Sequence, residues 1–148
     1  MKIILFQPEI PQNTGNVART CAATRTDLVL VRPLGFSLSD RQMKRAGLDY
    51  WKSVSLEVVD DVSSLLQESF FFFSSKAKRP YTAASYTKNS VLVFGSETKG
   101  LSSEFWEKYP EHFYTIPMAE GERCLNLSSS AAIVLYEALR QTNFDFSC

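Results

Sequence analysis

Three stretches of the chain crowd small and polar residues together directly after apolar runs, and these hold the side chains best suited to chemistry. The first is Pro8 to Arg19. Its spacing predicts a helix over about 14–25, with Asn13 or Thr14 as the cap. Val17, Ala18, Cys21 and Ala22 form the core-facing stripe, while Asn16 and Arg19 share a face turned away from it. An Arg one turn into a helix suits a phosphate; a capped helix with a solvated Arg has the same spacing. The second stretch, Phe94 to Leu101, brackets Ser96-Glu97-Thr98-Lys99 between Gly95 and Gly100. Such glycines allow a positive φ or a close approach of backbone to a ligand, and they also serve a plain turn. Neither G-x-G-x-x-G nor G-x-x-x-x-G-K-[ST] is present, so dinucleotide and P-loop phosphate cradles are not indicated. The third stretch, Ile116 to Ser130, contains Met118, Cys124, Leu125, Asn126 and Ser128, more hydrogen-bonding groups than one helix end requires.

The elements around these stretches explain why they would meet. Residues 2–6, 28–31, 54–59, 70–73, 91–94 and 112–116 read as strands, several of them apolar throughout. Between them lie helical patterns at 39–47, 61–68 and 102–108, and a last helix runs from about Asn126 to Gln141. All-apolar strands alternating with helices predict an α/β fold: a mainly parallel sheet flanked by helices on both faces. In such sheets ligands sit beyond the carboxyl ends of the strands, where all three polar stretches fall. On the last helix, Ala131, Val134, Leu135, Ala138 and Leu139 make one stripe, with Ile133 and Tyr136 beside or opposite it. An apolar surface that wide means burial on more than one side, within the domain or against a second subunit.

Charge gives a weaker signal. The net charge is zero, which excludes a histone-like polycation but not a local basic patch. Arg41, Lys44 and Arg45 fall on one face of the 39–47 helix, and Lys76, Lys78, Arg79 and Lys88 lie in the irregular stretch 76–90 with Tyr81 and Tyr86. This reads as a phosphate-tracking patch with stacking aromatics, or as solvated charge. Cys21, Cys124 and Cys148 form no C-x-x-C pair, and His112, the single histidine, follows Pro110 as a solvated residue, so a metal site is not expected. The run at 1–6 is too short for a signal peptide, and no stretch approaches the ~20 apolar residues of a membrane span. A cytoplasmic protein with reduced thiols is expected.

Taken together, the motifs resemble those of the SPOUT, or α/β-knot, methyltransferases, closest to the branch that 2′-O-methylates the wobble nucleotide of tRNA. PEIPQNTGNVARTCA resembles the first motif of that branch, and GFSLSDRQMKRAGLDYW at 35–51 its middle stretch. FGSETKGL and IPM with RCLNLSSSAAIVLYEA resemble the second and third motifs. The likeness runs from Met1 to about Gln141, and implies a single SPOUT domain over 1–148 with a C-terminal trefoil knot.

The resemblance further implies S-adenosyl-L-methionine and no metal as cofactor, the tRNA anticodon stem-loop as partner, and a homodimer. Carried over, the cofactor pocket is lined by Phe73, Ser74, Gly95, Glu97, Gly100, Ile116, Met118, Cys124 and Leu125. Cys124 stands where the branch commonly has Ser, a change that backbone contacts would survive. Arg19 takes the position of the arginine that reaches the methyl donor of the neighbouring subunit. It acts on the target ribose as a base or, more easily for a guanidinium with no acceptor, by clamping the adjacent phosphate. Asn16, Glu97, Asn126 and Ser128 position the sugar or brace the loops. RNA contacts fall to Arg41, Lys44, Arg45 and Lys76. Two alternatives remain: a methyltransferase of this fold acting on rRNA or another tRNA position, and a non-catalytic RNA-binding protein of the same fold.

Overall fold

The computed structural model describes residues 1–39, 45, 50–67 and 69–146. Seven strands form one sheet: β1 (Lys2–Phe6), β2 (Asp27–Val31), β3 (Leu56–Val59), β4 (Phe70–Phe73), β5 (Arg79–Pro80), β6 (Val91–Phe94) and β7 (Phe113–Thr115). Their order is β3-β2-β1-β6-β4-β7-β5, and every ladder between them is parallel. Three α-helices are described: α1 (Pro11–Thr24), α2 (Ser103–Lys108) and α3 (Leu127–Gln141).

Parallel pairing buries both faces of the central strands, and the sequence divides residue by residue between them. Ile3, Leu5, Leu28, Leu30, Leu92 and Phe94 point to one side, where Val17, Ala18 and Cys21 of α1 and Ala131, Val134, Leu135, Ala138 and Leu139 of α3 cover them. Ile4, Val29, Val31, Phe70, Phe72, Val91 and Val93 point to the other, against Phe105 and Trp106 of α2. The α3 stripe read from helical spacing is therefore the buried one. Ile133 and Tyr136 stay exposed, at 37% and 49%.

Several expectations need correction. Helix α1 starts at Pro11 rather than near residue 14, and its N-cap is Ile10, so neither Asn13 nor Thr14 caps it. The helix expected at 61–68 is only a 3-10 turn, Ser63–Leu65, held by Asp61, which accepts from the Ser63 amide and hydroxyl. The stretch 76–90 is not wholly irregular: it contains β5 and a 3-10 turn at Tyr81–Ala83. His112 is not a solvated residue. Its ring stacks on Phe70 at 4.0 Å, and Nδ1 lies 2.9 Å from the Phe70 carbonyl. The helix expected at 39–47 lies almost wholly outside the described residues, although Arg45 is helical. Among the described residues no helix is long and apolar enough to cross a membrane.

Candidate active site

At the carboxyl ends of β4, β6 and β7 the three polar stretches converge on one cavity of about 380 Å³. From β4 come Phe73 and Ser74, from the β6 turn Gly95, Glu97 and Gly100, and from the segment after β7 Ile116, Met118, Cys124 and Leu125. Each of the nine residues assigned to a cofactor pocket by resemblance thus lines this single space, as do Asn13, Asn126 and Lys76.

The β6 turn owes its shape to two glycines with different tasks. Gly100 has φ +67°, the left-handed region, and closes the turn by exchanging backbone hydrogen bonds with Ser96. Gly95 provides close approach: a Cβ there would lie 2.2 Å from the Gly100 carbonyl carbon and 2.4 Å from the Leu101 nitrogen.

Glu97 ties this turn to the first stretch. Its carboxylate accepts from the Glu9 amide at 2.8 Å, the Ile10 amide at 3.1 Å and the Asn13 side-chain amide at 3.1 Å. Asn13 in turn accepts from the Asn126 amide at 2.9 Å, and Asn126 Oδ1 accepts from the Ser128 amide and hydroxyl at the start of α3. The donors run in one direction, from the N-terminus of α3 through two amide side chains to one carboxylate. A return strap joins Thr98, amide and hydroxyl, to the Glu9 carboxylate. Glu97, Asn126 and Ser128 therefore brace the three loops. Asn13 and Glu9 belong to the same brace and were missed from sequence. The available signal was chemical but weak: an amide side chain can donate to a carboxylate while accepting from another amide, as a hydroxyl also can.

Removing the Glu97 carboxylate leaves two backbone N–H groups and the Asn13 amide without their acceptor. We expect Glu97→Ala to cost about 2–3 kcal/mol, because charged hydrogen bonds at a part-buried site are lost without replacement. Thermal unfolding should fall by roughly 5–10 °C for a chain of this size. An unchanged midpoint would show that the brace contributes nothing.

Arg19 and Asn16 do not line the cavity; both sit exposed on the outer face of α1. The Arg19 guanidinium carbon lies 5.1 Å from the centroid of the Tyr50 ring. Cys124 is exposed and its Sγ lies 3.1 Å from Ser75 Oγ, joining the β4 loop to the third stretch between two residues that line the cavity. Cys21 belongs to the core, where burial, with the nearby Asp27 charge, pushes its thiol up to about 12. Of the expected RNA-contacting residues, Lys76 and Arg45 are exposed, and Arg41 and Lys44 lie outside the described residues. Lys78 and Arg79 are exposed too, Arg79 over the Tyr114 ring. Lys88 is exposed and paired with Asp145, whereas Tyr86 is buried with its hydroxyl donating to the Tyr81 carbonyl, so the Tyr86 ring is not a surface stacking platform.

Residues 1–136 match the SpoU rRNA Methylase family. The chain belongs to that family. Among its relatives, a tRNA (cytidine(34)-2'-O)-methyltransferase of Methylovorus glucosotrophus is 46% identical, covering 96% of each chain. Another protein of that name, from Photorhabdus asymbiotica, is 40% identical over 97% of this chain and 95% of its own. A structure solved to give insight into the 2-OH methylation of C/U34 on tRNA superposes with a TM-score of 0.90, at 41% identity and 97% coverage of both chains.

Proposed function

We propose that this SpoU-family protein transfers a methyl group from S-adenosylmethionine to the ribose 2′-hydroxyl of nucleotide 34 in tRNA, as a cytoplasmic homodimer. The observation that carries this reading is the convergence of the three polar stretches on one cavity beyond the carboxyl ends of adjacent parallel strands. The relatives named for position 34 match almost the whole chain, which favours that substrate over rRNA, another tRNA position or a purely binding role.

The cavity suits the proposed cofactor. Its volume falls within the range of roughly 300–1,000 Å³ common to small-molecule sites. Phe73, Ile116 and Leu125 offer apolar surface for an adenine ring, and the backbone of the 95–100 turn and of Ile116 and Met118 offers donors and acceptors. The close packing of Gly95 on Gly100 keeps the turn compact and the cavity open. When bound there, S-adenosylmethionine supplies an electrophilic methyl group.

The chain's own residues must orient the ribose and control its hydroxyl proton. His112 sits at the Phe70 end of β4, opposite the Phe73 end that meets the cavity, so it is not the base. Arg19 clamps an RNA phosphate and thereby fixes the sugar next to it, with Asn16 on the same face. Both residues face away from their own cavity, which agrees with the role the family resemblance implies for Arg19, completing the cavity of a second copy. Exposed Ile133 and Tyr136 on α3 supply apolar surface for that pairing. Lys76 and Arg45 contact the anticodon stem-loop backbone. Gln141 of α3 bonds Ala84 and Tyr86 in the 76–90 stretch, a contact that fits a terminal helix threaded through that stretch as a trefoil knot.

Nucleoside mass spectrometry of tRNA from cells with and without this protein tests the reading. The expected result is loss of one ribose methyl at position 34. An unchanged tRNA methylation profile would overturn the assignment.

A further inference from the structure

The environment of Arg19 carries one inference more, which rests on the phosphate-clamping role given to that residue. Among the described residues, the guanidinium lies over the Tyr50 ring and has no other partner. No carboxylate pairs with it among them. An acidic partner would neutralise the charge and occupy the N–H groups that a phosphate needs. An aromatic face instead steadies the plane of the guanidinium and leaves its N–H donors free at the edges.

Tyr50 is itself well held. Its carbonyl accepts from the Ser53 amide, the Ser53 hydroxyl and the Val54 amide, each at 3.0 Å. Val54 is buried in the core under α1, and Trp51 packs against the same cluster. The ring therefore stands on a turn anchored at two points, beside a long side chain that would otherwise sample many rotamers.

We propose that Tyr50 is the positioning residue that presents Arg19 to an RNA phosphate. It acts through the ring face and touches neither cofactor nor ribose. An aromatic face at an exposed site should be worth about a fivefold change in rate. The test uses the full-length protein, unmodified tRNA transcript and S-adenosylmethionine, with kcat and KM for tRNA measured beside the cofactor Kd and the melting temperature.

Tyr50→Leu, which keeps apolar bulk but removes the face, should lower kcat about fivefold, with cofactor Kd and melting temperature at wild-type values. Tyr50→Phe, which keeps the face and loses the hydroxyl, should restore most of that rate. Unchanged kcat in Tyr50→Leu, alongside an inactive Arg19→Ala, would overturn this inference alone. So would equal losses in Tyr50→Leu and Tyr50→Phe, which would assign the effect to the hydroxyl. Parallel losses of cofactor affinity or melting temperature in Tyr50→Leu would overturn it by showing a structural role. A fully active Arg19→Ala would instead remove the reading beneath it.

Discussion

Arg19→Ala should abolish most methyl transfer while leaving cofactor binding intact. The side chain lies outside the cavity of its own chain, exposed on α1, and none of the Glu97–Asn13–Asn126 brace passes through it. Truncation therefore leaves the three loops and the helix ends as they are. It removes the cation assigned to the phosphate beside the reacting ribose. Misplacing a reacting group by about 1 Å can cost roughly 10²-fold in rate, and losing its anchor should cost at least that. The measurement is a pair: single-turnover methyl incorporation into tRNA, and calorimetry with S-adenosylmethionine. A rate down about 10²-fold with unchanged heat supports the role. Loss of heat would place Arg19 in the cofactor site; wild-type turnover would take it out of the mechanism. Arg19→Lys separates charge from geometry, because an ammonium keeps the charge but cannot offer the planar fork. Most of the rate should still be lost in that variant.

The difference between what was legible in the chain and what was not is one of range. Strands such as Lys2–Phe6 and Val91–Phe94 announce themselves locally, because a parallel strand buried on both faces must be apolar almost throughout. The stripe of α3 and its Asn126 cap are local as well, since helical spacing and a capping side chain act within one or two turns. Helix α1 starts at Pro11, which has no N–H to cap and fits the first helical position, while Glu97, far along the chain, receives the N–H groups of Glu9 and Ile10 just before it. Asn13, read as a cap, is thereby released to bridge Glu97 and Asn126. His112 and Tyr86 were misplaced for a similar reason. Their planar rings found aromatic partners in β4, Phe70 and Phe71, whose facing direction no local pattern supplies. The cavity residues were identified by likeness to a family, not by spacing. Spacing alone could say only that three polar turns follow three strands.

Gly95→Ala is the complementary lesion, and mixing it with Arg19→Ala exposes how the site is assembled. An added methyl at Gly95 would sit 2.2 Å from a backbone carbon and 2.6 Å from the Gly100 carbonyl oxygen. No rotamer change relieves contacts with main chain, so the 95–100 turn must move, and it forms one wall of the cavity. Cofactor binding should fall below detection in calorimetry. The strands beneath are paired on both sides and should keep the molecule folded. Each variant alone is then inactive for a different reason: one has a cavity and no cation, the other a cation and no cavity. If Arg19 serves its own subunit, mixtures of the two remain inactive at every ratio. If it serves the partner, a mixed dimer contains one site with both parts intact. After exchange at equal concentration, random pairing makes half of the dimers mixed, so about one quarter of all sites regain function. Recovery near that level, absent when the variants are assayed without exchange, would establish a site shared between two copies. No recovery after verified exchange would confine the site to one chain and require a different path from Arg19 to the RNA.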